Sequence, residues 1–238
     1  MGILFANQNV ILNMRHPFFS HHIKCSLADL EAVDHRIKDH TDLGIFIGEK
    51  IVICPERYES VFEHLSQFIP RDILFEKVTC GFNRLSKPYP FDIRYNALQL
   101  SRHLFHLLSH TDERVIQESY GDKVLVKQGY TRCSVLPVGS QAAITEDETL
   151  YKTLRSFGYE TLFIQSGHVK LEGFTHGFIG GAGGCVDQTV VINGALSTHP
   201  QGSEIRSFIK RQGCDIIELH EAQIEDCGSI LYYSFSGM

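Results

Sequence analysis

Two of the seven cysteines stand where an apolar strand begins, Cys227 in "EDCGSIL" and Cys133 in "GYTRCSVLPVG". A thiol at such a junction is either a nucleophile or a small residue that packs, because a buried free cysteine behaves as a small hydrophobe. To act as a nucleophile it must reach the thiolate form, which a neighbouring cation favours. Other chemistries leave weaker traces. His103, His106 and His110 fall at i, i+3 and i+7 on a stretch that reads as a helix, and His21, His22 and Cys25 lie together in "HHIKC". Neither group contains a Cys-x-x-Cys or a His-Glu-x-x-His, and a solvated helix face accounts for the first, so no metal is expected. The five glycines from Gly177 to Gly184 in "GFTHGFIGGAGGCVDQ" form neither Gly-x-Gly-x-x-Gly nor a terminal Gly-Lys-Ser/Thr. A nucleotide loop is therefore not expected, and the segment is either a mobile flap or a place where strands approach closely.

The elements that must position these residues belong to an ordinary globule. The chain has 238 residues, of which 43% are hydrophobic and 21% charged, with a formal net charge of -6. One domain over residues 1–238 is the default for that length. No apolar run approaches the roughly 20 residues that span a bilayer, and no Lys/Arg cluster offers the electrostatic footprint of nucleic-acid binding. The opening "MGILFANQNVILNMRH" lacks a basic region before its apolar stretch and a small-residue cleavage site after it, so it reads as a structural strand. Seven cysteines spread from Cys25 to Cys227 without tight pairing suit thiols in a reducing cytoplasm.

Internal repetition carries the fold. "IVICPERYESVFEHLSQF", "AAITEDETLYKTLRSFGYETLFIQ" and "VVINGALSTHPQGSEIRSFIKRQGCDIIELH" each run from a β-branched strand through a polar turn into an amphipathic helix. The second and third close with another strand. Leu154 and Phe157 recur at helical spacing, as do Ile205, Phe208 and Ile209. Anchored on Ile53, Ile144 and Ile192, the plan leaves room for a further unit, "DIRYNALQLSRHLFHLL", anchored on Leu98. The four anchors then recur at about 45 to 48 residues. Residues 44–47, 123–126 and 228–231 supply extra strands, and the last has no helix behind it. The N-terminal strand "ILFANQNVIL" would complete that fifth unit and close a ring in which each unit borrows core from its neighbours.

This plan resembles the pentein superfamily of guanidino-group-modifying enzymes, which includes dimethylarginine dimethylaminohydrolases, arginine deiminases and amidinotransferases, with the ribosome anti-association factors as a non-catalytic branch. The resemblance implies an α/β propeller of about five strand-strand-helix-strand units in a pseudo-symmetric ring. "GHVKL" is similar to the stretch carrying the family's catalytic histidine, which implies that role for His168 with Lys170 two residues on; His176 is the fallback. "DCGSIL" looks like the family's nucleophile strand and implies that role for Cys227. "TRCSVLP" is somewhat similar to the nucleophile strand of arginine deiminases, which makes Cys133 the second candidate. Asp92 matches the carboxylate that binds the guanidinium, whereas Asn96 stands where a further acid is expected. Asn96, Arg132 and Lys170 complete the expected binding set.

A guanidinium is planar and cationic, and charge delocalisation makes it resist attack. A site must hold it by paired carboxylate bonds and bring a strong nucleophile to its central carbon. On the resemblance, Asp92 binds the group and Cys227 attacks it. His168 then protonates the departing amine and later activates water against the S-amidino intermediate. No cofactor is expected. The implied partner is a small cationic guanidino-type ligand, with no nucleic acid and no membrane, and a homodimer is admitted. The other function class, a binding or assembly module that keeps the ring without catalysis, remains open beside it.

Overall fold

The computed structural model describes residues 2–235. One plan of three strands recurs in five small sheets. β1 (Gly2–Ala6) runs parallel to β2 (Ile23–Ser26). The second sheet holds β3 (Ile45–Ile47), β4 (Ile51–Ile53) and β5 (Val78–Cys80), and the third β6 (Leu98–Leu100), β7 (His103–His106) and β8 (Asp122–Leu125). The fourth holds β9 (Val135–Val138), β10 (Ala142–Thr145) and β11 (Glu160–Phe163), and the fifth β12 (Gly183–Val186), β13 (Thr189–Ile192) and β14 (Asp215–Glu218). β15 (Leu231–Ser234) then returns to the first sheet and pairs antiparallel with β1, placing Tyr233 opposite Ile3 and Leu231 opposite Phe5. The N-terminal strand closes the ring, as the repeat predicts.

Within each sheet the middle strand is antiparallel to one neighbour and parallel to the other. A parallel pair cannot be joined by a hairpin and needs a crossover. Helical segments supply it, among them Pro55–Leu65, Glu148–Ser156 and Gly202–Arg211. Their starts are chemically marked: Pro55 opens the first, where a missing N–H costs nothing, and the Asp147 carboxylate caps the second by accepting from Leu150 N. Leu150 and Leu154, like Ile205, Phe208 and Ile209, are buried at helical spacing. Phe157 lies beyond its helix end and is 42% exposed.

The stretch "DIRYNALQLSRHLFHLL" departs from the expected helix. It forms the β6–β7 hairpin, turned at Ser101 with φ 46°, so the middle strand of that unit is β7 and not the Leu98 strand. Its apolar residues satisfy either period, because β7 buries Leu104, Phe105 and His106 in succession. His103 and His106 consequently stand on a strand and His110 in a short 3-10 turn, so the three share no helix face. His103 bonds Tyr159 Oη, and His106 bonds Thr111 and the Gly129 carbonyl. The last strand also begins later than expected, at Leu231, leaving residues 227–230 outside it as irregular chain.

Adjacent sheets share cores. Ile3, Phe5 and Ile23 of the first sheet pack with Ile45, Ile51 and Ile53 of the second and with Val61, Phe62 and Leu65 of its helix. The glycine-rich segment is a place of close approach. A Cβ on Gly180 would overlap the carbonyls of Arg132, Cys133 and Val135, and one on Gly184 would overlap the Ile230 carbonyl. Phe5, fully buried in the strand that closes the ring, gives a direct check. Phe5→Ala should lower the unfolding free energy by about 3–5 kcal/mol. Urea denaturation should show an earlier midpoint at unchanged slope, whereas a change near zero would mean that β1 does not seal the core.

Candidate functional site

The five strands that lead the sheets, β3, β6, β9, β12 and β15, all begin near the ring axis, and their starts are hydrogen-bonded to one another. Asp42 N donates to Gly228 O (3.0 Å), Ser229 N to Gly181 O (2.8 Å), Gly181 N to Cys133 O (2.8 Å) and Arg132 N to Asn96 O (3.1 Å). Equivalent chain positions thus carry Asp42, Asn96, Cys133, Gly181 and Ser229 into one buried centre.

Cys133 lies at the end of the helical turn Thr131–Ser134. Its Sγ–H donates to Asp42 Oδ2 at 2.9 Å, and Asn96 Nδ2 donates to the sulfur at 3.2 Å. Ser229 Oγ donates to the same Asp42 oxygen. A ring nitrogen of His40, a carboxylate oxygen of Asp42 and Cys133 Sγ lie within 4.8 Å of one another. A Cys, His and Asp set at that spacing could hold a zinc-like ion through three of four tetrahedral positions. It could equally serve as a thiol with a base and an acid at hand. His40 is also 3.9 Å from Asp226, which accepts from Phe178 N (2.9 Å) and Gly228 N (3.0 Å).

The centre is dominated by carboxylates held away from water. Burial, then Asp42 and Asp226, pushes the Cys133 thiol well above its ordinary value. Burial, then Asp226 and Asp42, does the same to Cys227. Burial also raises the Asp226 carboxyl, against the pull of His40. Glu146, just past the end of β10, is pushed up to about 8 by burial and by Asp226. Asp42 Oδ1 and Asp92 Oδ1 lack a hydrogen-bond partner among the described residues. The cation at the axis is Arg132. Burial pulls its pKa down, and its two Nη atoms donate to the carbonyls of Val135, Gly180, Gly183 and Ile230 at 3.1–3.3 Å.

The expected site residues divide. Cys133, Asn96 and Arg132 meet at the axis. Asp92 is buried nearby, its Oδ2 accepting at 2.7 Å from the Oη of Tyr130, three residues before Cys133. Cys227 is buried too, but its thiol donates to the Gly181 carbonyl, at 3.2 Å. His168 packs its ring edge-on against His199, 5.1 Å between centroids, and among the described residues no contact joins it to Cys133 or Cys227. Lys170 pairs in solvent with Glu225 at 3.0 Å, while its backbone bridges Ile224 O and Asp226 N. His176 bonds the Gly177 carbonyl. His40, Asp42, Asp226 and Ser229 are not among the residues expected from the sequence. The signal for Asp42 was its place just before the strand "GIFI", which matches the place of Asn96 before its own.

A family model described as "Family of unknown function (DUF6873)" matches residues 18–231, and the chain belongs to that family. No curated protein matches it. Among solved structures, a dimethylarginine dimethylaminohydrolase adduct with S-methyl-L-thiocitrulline is 12% identical at a TM-score of 0.53, covering 91% of each chain. A cysteine-to-serine variant of the Pseudomonas aeruginosa dimethylarginine dimethylaminohydrolase, complexed with citrulline, is 11% identical at 0.53, covering 95% of this chain and 92% of the other. An amidinotransferase of the saxitoxin biosynthetic pathway from Microseira wollei is 11% identical at 0.50, with 97% and 84% covered. At such identities the likeness is one of fold: the chain has the pentein-type α/β ring. No helix among the described residues is long and apolar enough to cross a membrane.

Glu146 offers a test of the centre's electrostatics. Its carboxyl is raised from 4.5 to about 8, so the folded chain holds the proton more tightly than the unfolded chain does. Its contribution to stability is complete below the first value and is lost as pH rises through the second. Between pH 5 and pH 8.5 the unfolding free energy of the wild type should therefore fall by roughly 2–4 kcal/mol more than that of Glu146→Gln. Parallel pH profiles from urea denaturation would mean that Glu146 is already ionised at neutral pH.

Proposed function

We propose that this family member binds a guanidino- or amidino-bearing small cation at the ring axis and acts on it as a Cys-dependent hydrolase or transferase, with Cys133 as the nucleophile. The observation that carries the reading is the Cys133 thiol bonded to Asp42 and Asn96 beside His40, among carboxylate oxygens that lack partners. An excess of buried negative charge is costly unless a cation neutralises it, and a guanidinium presents five donors in a plane to such oxygens. The likeness in fold to enzymes whose ligands include citrulline and S-methyl-L-thiocitrulline supports the same ligand class.

The resting thiol is held protonated, and an arriving cation offsets the carboxylates that raise it, so the ligand itself favours the thiolate. Asp42, already the acceptor of the Sγ proton, takes it as the sulfur attacks the central carbon. His40 delivers a proton to the departing ammonia or amine, leaving an S-amidino group on Cys133. Water activated by the imidazole then releases a urea-type product and the thiol; an amine in place of water would make the reaction a transfer. Asp92 and Asn96 serve as binding groups, and Cys227 packs behind the centre. A second reading, a non-catalytic binding or assembly module, draws on the enclosure of the centre, since Cys133, Asp42 and Asn96 are all buried.

Chloroacetamidine beside neutral iodoacetamide separates the two, with the labelled cysteines mapped by mass spectrometry. Selective amidine labelling of Cys133 is expected, together with loss of ammonia or amine release from guanidino compounds in Cys133→Ser and its retention in Cys227→Ser. Selectivity at Cys227 would transfer the nucleophile's role to that residue, and none at any cysteine would leave the binding module.

A further inference from the structure

Between β2 and β3 the chain runs through residues 27–44 without a strand or helix, and this segment delivers both His40 and Asp42 to the centre. Such a stretch has no ladder of its own to fix it. One side chain does the fixing. Arg57, on the helix Pro55–Leu65, is only 1% exposed, and its guanidinium donates to three carbonyls of the segment: Nε to Ala28 (2.8 Å), Nη1 to His40 (2.8 Å) and Nη2 to Lys38 (3.0 Å). No carboxylate among the described residues accepts from it, so its donors are devoted to backbone. Leu30 N adds a bond to Lys38 O at 2.7 Å across the same neck. A Cβ on Gly44 would press on Cys54 Sγ and on the Arg57 side chain, so the chain passes the guanidinium with no room to spare.

We propose that Arg57 is a positioning residue for the Cys133 centre: by gathering the Ala28, Lys38 and His40 carbonyls onto one planar group, it sets the His40 imidazole and the Asp42 carboxylate against the thiol. The role rests on the reading of Cys133 as the reactive centre. A rigid five-donor fork can meet three carbonyls from three directions, whereas a lysine ammonium, a single point at the end of a flexible stem, cannot hold all three. Burial and then Asp42, whose Oδ2 accepts the Sγ proton, raise the thiol, so a segment that drifts away removes the carboxylate's share and lets the thiol titrate lower.

The test compares Arg57→Gln and Arg57→Lys with Leu74→Ala, which empties a buried site in the same unit, on the helix Arg71–Lys77 and so outside residues 27–44. All are examined equally far below their melting temperatures, reading iodoacetamide alkylation of Cys133 against pH and amide hydrogen exchange across residues 28–42. The Gln variant should move the alkylation midpoint to lower pH by about one unit, a roughly tenfold gain in rate at fixed pH, with faster exchange confined to the segment. The Lys variant should fall between it and the wild type, and it carries the test if the Gln variant does not fold. Wild-type alkylation in both Arg57 variants, or the same change in Leu74→Ala, would overturn the proposal. Neither readout requires turnover, so the role of Arg57 is tested even in a chain inert toward every guanidino compound.

Discussion

The interior of the ring is organised around a buried guanidinium. Arg132 stands where the leading strands converge, and its donors reach carbonyls before or within β9, β12 and β15. Buried carbonyls must find donors, and a planar group with five N–H bonds answers several strands at once. The arrangement explains why the sequence is rich in glycine at 180–184. Strands that share one guanidinium approach too closely for a Cβ between them, as the overlaps at Gly180 and Gly184 indicate.

From that constraint follows the chemistry of the centre. Arg132 faces backbone and leaves Asp42, Asp226 and Glu146 without a cation bonded directly to them among the described residues, apart from the 3.9 Å approach of His40 to Asp226. The thiols among them, Cys133 and Cys227, are pushed up by burial first and by these carboxylates second. On the proposed reading such a centre is quiet until a positive charge enters, which would guard its thiol against indiscriminate alkylation and oxidation. The second unit contributes another buried guanidinium, Arg57, that likewise spends its donors on carbonyls. Thus two arginines shape the site through the backbone, while the carboxylates stay available to a ligand.

Much of the architecture was legible in the sequence. β-branched runs such as "TVVIN" and "IVIC" became middle strands, and the N-terminal strand found β15 because the fifth unit lacked a member. The third unit departs from the helix its sequence predicts, since a strand buried on both faces loses its alternation and the Ser101 turn carries no glycine or asparagine to announce a hairpin. The site was legible by position more than by motif. Asn96 and Cys133 were recognised at strand starts and do converge, and Asp42 occupied the same place one unit earlier. His40 had no such mark: it reaches the centre through an irregular segment whose course is set by Arg57, 17 positions further along the chain, and so belongs to no local pattern. His168, expected from the similarity of "GHVKL" to the family's histidine stretch, packs its ring against His199.

The central claim, that the buried carboxylates await a guanidino-type cation, is tested most directly by thermal unfolding in the presence of a guanidino ligand and its neutral urea counterpart, for the wild type and Asp42→Asn. The melting temperature of the wild type should rise with the cation alone, by mass action on the folded state, and the rise should shrink or vanish in Asp42→Asn. An equal response to the neutral counterpart, or a response that Asp42→Asn leaves untouched, would contradict the account.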